Sequence, residues 1–213
     1  NNMIALVIGA TGATGAHLVN CLIEDEYYTE IKVFVRRSVS FVSDKVQVFV
    51  VDFNNIADFS DEINGDVFFS CLGSTLKDAG SREDQWEIDF NIPYDFAKVA
   101  HVNGVRTCVL VSSFGADASS LFFYLRLKGC LEESIRELDF DNLIIFRPGI
   151  LDRNKTNRVG EYMAVKMLYL LNALKMFTKY KPLPTPTLAE KLVKASKIEK
   201  KKKIFELDEI NAY

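Results

Sequence analysis

Apolar and β-branched runs alternate along the chain with longer stretches whose apolar positions recur at helical spacing. The runs predict strands over 4–8, 31–35, 46–51, 67–71, 107–111 and 143–146. Helices are predicted over 13–26, 56–63, 82–103 and 120–138, and the short connection 35–46 fits a loop. Fully apolar strands separated by helices are typical of a parallel sheet covered on both faces. The pattern therefore predicts an α/β fold with a doubly wound parallel sheet.

The pattern changes after residue 149. A polar loop, "DRNKTNRVGE", precedes an apolar helix predicted over 161–177 and the proline-rich stretch "KPLPTPT". A short helix from Leu188 and a strand near 203–207 follow. We expect one domain over 1–213, in which 151–187 form a small C-terminal extension.

Composition narrows the class of protein. The 213 residues are 48% hydrophobic and 26% charged, which is ordinary for one globular domain. The net charge of −3 gives no global attraction to nucleic acid, and we interpret the lysine run 200–203 as a solvated patch. No apolar stretch approaches the about 20 residues of a membrane span, and we expect no signal peptide before the first strand. We expect a cytoplasmic protein without membrane or nucleic-acid partners.

Cysteine and histidine are poorly placed for a metal site or a disulfide framework. The four cysteines lack CxxC spacing, and Cys71 and Cys108 lie in predicted buried strands. The two histidines, His17 and His101, are far apart in the chain, so a histidine metal cluster or a Ser–His–Asp triad is not supported. We predict reduced thiols and no metal.

Three glycines follow the first strand in "LVIGATGATGAHLV". A turn without Cβ atoms lets backbone N–H groups approach a pyrophosphate at the start of the next helix. The strand before and the helix after make this pattern more specific than glycines alone. A simple tight turn would not need three spaced glycines. We assign to cofactor binding Gly9, Thr11, Gly12, Ala13, Thr14 and Gly15.

The end of the second strand carries Arg36 and Arg37, where an NAD fingerprint expects Asp or Glu. A guanidinium pairs with a 2′-phosphate, which a carboxylate would repel. We therefore predict a preference for NADP(H) over NAD(H), with Arg36 as the closer residue. The alternative is that one of the two simply faces solvent.

Two further strand ends should line the same cleft. Asp52 and Phe53 follow the third strand and are expected near the adenine. The stretch "SCLGST" is expected along the adenine ribose and pyrophosphate through Cys71, Leu72, Gly73 and Ser74.

The stretch "VSSFGADASSLFFYLRLKG" places Ser112 and Ser113 at the end of the fifth strand. Tyr124 and Lys128 follow one helical turn apart, hence on one face of the next helix. The alternative is an amphipathic helix in which the tyrosine packs and the lysine is solvated.

The glycine loop, the serine after the fifth strand, YxxxK and "FRPG" together resemble the short-chain dehydrogenase/reductase superfamily. Within it, "CLGST", "FRPGIL" and "DRNKTNRVGE" resemble the atypical, NADPH-binding group that contains the oxidoreductase TIP30, also called CC3. The resemblance implies that Tyr124 is the general acid/base, that Lys128 favours its phenolate and binds the nicotinamide ribose, and that Ser113 or Ser112 polarises the substrate oxygen. It also implies that the nicotinamide pocket is walled by Pro148, Gly149 and Ile150.

The sequence thus predicts an NAD(P)-binding Rossmann domain whose variable region 151–187 faces the substrate. We expect an NADPH-dependent oxidoreductase acting on a small carbonyl or alcohol. The absence of a dedicated sugar-nucleotide domain disfavours an epimerase. The alternative is an NADP(H)-binding regulatory or scaffold protein, and a homodimer or a protein partner is compatible with either.

Overall fold

The computed structural model describes residues 2–149, 151–152, 182–198 and 202–213. Within them, seven strands form one sheet in the order β3-β2-β1-β4-β5-β6-β9, and every neighbouring pair is parallel. A separate two-residue ladder joins β7 and β8. The strands are β1 (Ile4–Ile8), β2 (Glu30–Val35), β3 (Val46–Val50), β4 (Val67–Ser70), β5 (Thr107–Val111), β6 (Asn142–Arg147), β7 (Leu151–Asp152), β8 (Leu183–Pro184) and β9 (Lys202–Glu206).

Helices connect these strands and cover both faces of the sheet. The α-helices are α1 (Ala13–Glu24), α2 (Leu76–Ala79), α3 (Arg82–Trp86), α4 (Ile92–Val102), α5 (Phe123–Glu137), α6 (Thr185–Ser196) and α7 (Leu207–Ala212). A 3₁₀ segment spans Phe53–Glu62, and one π-helical turn, Glu87–Asn91, joins α3 to α4.

The core consists of two layers, one on each face of the sheet. Side chains alternate along β1, so that Ala5 and Val7 pack on one face while Leu6 and Ile8 pack on the other. The first layer is completed by α1 and α6, which pack against each other, and the second by α4 and α5. The prediction of a doubly wound α/β fold is confirmed.

Local signals explain where several predicted boundaries shifted. The segment predicted over 56–63 starts at Phe53, because the Asp52 carboxylate caps it by accepting from the Asn54 N–H at 3.0 Å. Helix α6 starts at Thr185, earlier than the predicted Leu188, because a proline is tolerated in a first helical turn. The strand predicted near 203–207 is β9, which extends the sheet beside β6. The helix predicted over 161–177 lies outside the described residues.

The order of the strands fixes where a ligand site can form. The chain leaves β1 towards β2 on one side and reaches β4 on the other, so the connections diverge at the carboxyl ends of these two strands. A crevice opens at such a switch point, and ligands of open α/β sheets bind there.

Candidate functional site

The glycine loop between β1 and α1 is packed by backbone contacts that only glycine allows. Gly9 has a φ of 77°, and a Cβ there would lie 2.5 Å from the carbonyl carbon of Cys71. A Cβ on Gly15 would lie 1.9 Å from the Gly9 oxygen. The N–H of Gly12 donates to the same oxygen at 3.1 Å. The loop therefore lies directly between α1 and the exit of β4.

The start of α1 has the properties of an anion site. Its N-cap residue, Gly12, supplies no side-chain cap, and the first turn carries no acidic residue. Thr11, Gly12 and Ala13 are exposed, while Thr14 and Gly15 are buried against the loop. Uncapped N–H groups and the positive end of the helix dipole both favour a phosphate here. These residues fit a dinucleotide pyrophosphate.

A cavity of about 270 Å³ extends from the glycine loop to the end of β2. Arg36 and Arg37 both line it and are both exposed. Neither guanidinium has an ion-pair or hydrogen-bond partner among the described residues, and no carboxylate lines the cavity there. The lining is completed by Gly9, Ala10, Thr11, Phe34, Val35, Phe53 and Leu72.

A second cavity, of about 470 Å³, adjoins the first and shares Arg36 and Phe53 with it. Asp52 lines this cavity, although its carboxylate is occupied with the 3₁₀ segment. Asp84 and Glu87 line the cavity from the helices opposite. Phe53 thus lies between the two cavities, as a flat apolar surface next to Arg36 and Arg37.

The exit of β4 is held in place by two buried side chains that the sequence analysis did not single out. Asp89 is fully buried, and its two oxygens accept from the Ser74 N–H at 2.9 and 3.0 Å. Gln85, also buried, donates to the Ser74 carbonyl at 3.1 Å. A Cβ on Gly73 would meet nothing within 4 Å, so the backbone there is open to the cleft. The Ser74 hydroxyl is buried and has no hydrogen-bond partner in the part of the chain that the structure describes.

The two serines after β5 have different surroundings. Ser112 is buried, and its hydroxyl has no hydrogen-bond partner among the described residues. The Ser113 hydroxyl is more accessible and lies 3.3 Å from the Phe114 carbonyl oxygen. An orphaned buried hydroxyl at the end of a central strand fits a site that a ligand completes.

Helix α5 brings Tyr124 and Lys128 to the same edge of the sheet. Tyr124 is 37% exposed, whereas Lys128 is only 2% exposed. The Lys128 ammonium donates to the Leu72 carbonyl at 3.4 Å and lies 5.8 Å from the centre of the Tyr124 ring. The solvated lysine of the amphipathic-helix alternative is therefore not observed.

The charge of Lys128 also reaches Cys71. Burial raises the pKa of the Cys71 thiol to about 12, and Lys128 acts in the opposite direction. All four cysteines are free, as predicted. Cys71 is therefore a neutral thiol at neutral pH.

The turn after β6 lies beside the loop that follows β5. The Pro148 carbonyl accepts from the Phe114 N–H at 3.0 Å, which ties this turn to residues 112–122 between β5 and α5, which we call the serine loop. Gly149 is exposed, and a Cβ there would lie 3.2 Å from Leu207. Ile150, predicted beside them, lies outside the described residues.

A third cavity, of about 440 Å³, lies at the opposite edge of the sheet, where the strands begin. Its charged side chains are paired: Arg106 with Asp141 at 2.7 Å, and Lys197 with Asp25. Asp66 accepts from the Ile4 N–H at 2.8 Å. We call this cavity the amino-edge groove.

The uncapped helix, the glycine loop and the groups around Lys128 define a dinucleotide-binding Rossmann protein of the short-chain dehydrogenase/reductase type. The chain belongs to the NAD(P)H-binding family, whose model matches residues 9–166. The resemblance inferred from the motifs is thereby confirmed.

Relatives of known sequence support the family. The chain is 35% identical to Protein FMP52, mitochondrial, of Candida albicans, over 76% of the chain and 74% of the relative. It is 41% identical to Protein FMP52, mitochondrial, of Debaryomyces hansenii, over 70% and 67%. Protein HTATIP2 of Rattus norvegicus, the TIP30 protein, is 35% identical over 78% and 70%.

Solved structures share the fold at low identity. A short chain dehydrogenase family protein from Francisella tularensis superposes with a TM-score of 0.69 at 15% identity, covering 94% of this chain and 93% of that one. Helicobacter pylori ADP-L-glycero-D-manno-heptose-6-epimerase gives 0.70 at 16% identity, covering 99% and 80%. At such identities the likeness shows the fold alone.

The prediction of a cytoplasmic location is contradicted, since several yeast relatives are named as mitochondrial proteins. That prediction rested on the lack of an apolar signal, which does not test for amphipathic mitochondrial targeting. In the described part of the chain, no helix has the length and apolar character needed to cross a membrane.

Proposed function

We propose that the protein is an NADPH-dependent oxidoreductase that transfers hydride between the nicotinamide and a small carbonyl or alcohol. The observation that carries the proposal is Lys128, a buried ammonium between the Leu72 carbonyl and the Tyr124 ring. A lysine is rarely buried without a purpose for its charge. Here its charge lies beside a phenol at the carboxyl edge of the sheet.

Each group then has a role in the reaction. The cofactor, when bound, would supply the hydride as NADPH in carbonyl reduction and accept it as NADP⁺ in alcohol oxidation. Tyr124 donates the proton to the carbonyl oxygen, or removes it from an alcohol, and Lys128 stabilises the phenolate form. Ser113, whose hydroxyl is the more accessible, polarises the substrate oxygen, with Ser112 as the alternative. Residues 151–187 select the substrate.

The preference for NADPH rests on Arg36 and Arg37, which have no partner among the described residues and line a cavity to which those residues contribute no carboxylate. A 2′-phosphate there would gain charge-assisted hydrogen bonds that NADH does not make. Parallel calorimetric titrations with NADPH and NADH test this. Equal affinities would mean that the protein does not discriminate between NADPH and NADH.

Replacement of Tyr124 by Phe tests the reaction itself. We expect turnover of small aldehydes and ketones to fall by about 10²–10⁴-fold, because the acid/base group is lost. NADPH affinity should stay close to that of the native protein. Tyr27→Phe is the matched control, since Tyr27 is similarly exposed, at 42%, but lies at the amino-edge groove. Unchanged turnover in Tyr124→Phe would refute the proposed mechanism.

A second candidate function is that of an NADP(H)-binding regulatory or scaffold protein, acting through a protein partner or a second copy. Leu121 and Phe122, just before α5, favour it, since they are 95% and 74% exposed. Apolar side chains so exposed beside a ligand cleft are typical of contact surfaces. In this case NADPH would change partner affinity, and Tyr124→Phe would leave that change intact.

A further inference from the structure

Helix α5 carries a second buried polar side chain on the face that bears Tyr124 and Lys128. Glu132 follows Lys128 by one further turn of the helix and is only 1% exposed. Burying a carboxylate costs free energy unless its charge is paired and its oxygens are hydrogen-bonded. The partner of Glu132 therefore decides how this face of α5 sits on the sheet.

That partner is Arg147, the last residue of β6. Its Nε lies 2.9 and 3.2 Å from the two Glu132 oxygens, and its Nη2 lies 2.6 Å from Oε2. Its Nη1 lies 2.5 Å from Oε1 of Glu206, the last residue of β9. The pKa of Arg147 is raised by these hydrogen bonds, first by that to Glu132. One guanidinium thus joins α5 to the ends of two strands.

The residues on either side of Arg147 hold the serine loop. The Phe146 carbonyl accepts from the Ser112 N–H at 2.7 Å, and the Pro148 carbonyl accepts from the Phe114 N–H at 3.0 Å. The same short stretch therefore contacts the serine loop through its backbone and α5 through its side chain. It is the common support of both.

Helix α5 and the serine loop are in close backbone contact. A Cβ on Gly129 would lie 2.2 Å from the backbone nitrogen of Ala118, so the helix and the loop meet backbone to backbone. Interiors packed this closely transmit small displacements. A shift of α5 at Glu132 would therefore also move Lys128, the residue preceding this contact.

We propose that Arg147 is a positioning residue, which through Glu132 holds α5 so that Lys128 and Tyr124 face the cofactor. The inference rests on the proposed contact of Lys128 with NADPH, but not on turnover. Arg147 itself is paired with two carboxylates, so it acts on the site through α5.

A double-mutant cycle in NADPH affinity tests the proposal. We expect Arg147→Met to weaken NADPH binding by about tenfold, a coupling typical of residues in one network. In the Lys128→Met background the same change should have almost no further effect, because the residue through which Arg147 acts is gone. Full additivity of the two losses would overturn the proposal.

The double variant Glu132→Leu/Arg147→Met separates positioning from mere stability. Exchanging a buried ion pair for apolar residues is often neutral for folding, and Glu206 is 40% exposed and stays solvated. We expect a folded protein, judged by urea unfolding, that still binds NADPH about tenfold more weakly. Native affinity in this folded variant would show a purely structural role and overturn the proposal.

Amide hydrogen exchange gives a readout that needs neither cofactor nor substrate. Arg147→Met should raise exchange at residues 124–129, the part of α5 that precedes Glu132, while Arg106→Met should not. Arg106 is the matched control, because its pair with Asp141 is 78% and 57% exposed. Unchanged exchange at 124–129 would contradict the proposal. If turnover is absent but exchange rises, the proposed reaction fails and the positioning role stands.

Discussion

Each edge of the sheet has arginine or lysine side chains that line a cavity, but the two edges differ in whether these side chains have partners. At the carboxyl edge, Arg36 and Arg37 line a cavity, and neither has a partner among the described residues. The Ser112 hydroxyl is buried at the same edge and also has no hydrogen-bond partner among them. At the amino edge, the groove of about 440 Å³ is lined by Arg106 and Lys197, both of which are paired with carboxylates.

The difference shows that the size of a cavity does not by itself identify a ligand-binding site in this fold. Both edges carry cavities and cations, yet Arg106 and Lys197 at the amino edge are paired, whereas Arg36 and Arg37 at the carboxyl edge have no partner among the described residues. Buried polar groups are normally hydrogen-bonded, so a buried polar group without a partner requires an explanation. A ligand that supplies the missing partners explains the carboxyl edge, whereas the amino edge needs none.

The largest expected effect is that of Gly15→Ala at the carboxyl edge. The new Cβ would lie 1.9 Å from the Gly9 oxygen, so α1 and the loop must separate. We expect loss of NADPH binding and a fall in the free energy of unfolding of about 1–3 kcal/mol. Denaturant unfolding and calorimetry measure the two effects. Gly73→Ala is the control for stability, since its Cβ would meet nothing within 4 Å. Native NADPH affinity in Gly15→Ala would break the assignment of this edge.

A smaller effect is expected when one arginine at either edge is replaced by glutamine, which removes its positive charge. Arg36→Gln should weaken NADPH binding by about 10- to 100-fold, the equivalent of charged hydrogen bonds, and leave NADH binding unchanged. Arg106→Gln removes a guanidinium at the amino edge and should change neither affinity. Calorimetric titrations of both variants with both cofactors decide. A loss of NADPH affinity in Arg106→Gln comparable with that in Arg36→Gln would contradict the comparison.

The smallest effect is expected at the amino edge, from Asp25→Asn. Burial alone would raise the pKa of Asp25, but hydrogen bonding from Lys197 and the Tyr27 N–H outweighs it, and the net pKa is lowered. The stability that this carboxylate contributes is therefore present above the pKa of an unfolded aspartate and is lost as pH falls through the lowered value. We expect Asp25→Asn to cost under about 1 kcal/mol at pH 7. Urea unfolding from pH 7 to 3 should show the two proteins converge, and a constant difference would speak against the pair.

The features that could be predicted are those that depend on residues close together in the sequence. The apolar strands and the glycine loop are local signals, and they predicted the sheet and the start of α1. The pair of arginines after β2 and the Tyr124–Lys128 spacing were likewise visible, because each lies within one turn or one strand end.

The supports of the site could not be predicted, because they join residues distant in sequence. Asp89 binds the Ser74 backbone across 15 residues, and Arg147 reaches Glu206 across 59. In the sequence, Asp89 and Glu132 read as ordinary helical carboxylates. Only the packing of the helices on the sheet shows that both are buried. Gly129, a glycine inside a helix, was the one local signal for such a contact.

The short ladder between β7 and β8 has a consequence for how this scaffold diversifies. Leu151 pairs with Leu183 and Asp152 with Pro184, so the two ends of the segment between these strands are held about 4.8 Å apart. Closing a loop of different length between such fixed ends changes the chain entropy only slowly. Descendants of this protein can therefore lengthen, shorten or exchange that segment as a cassette, while α6 and β9 still return to complete the sheet.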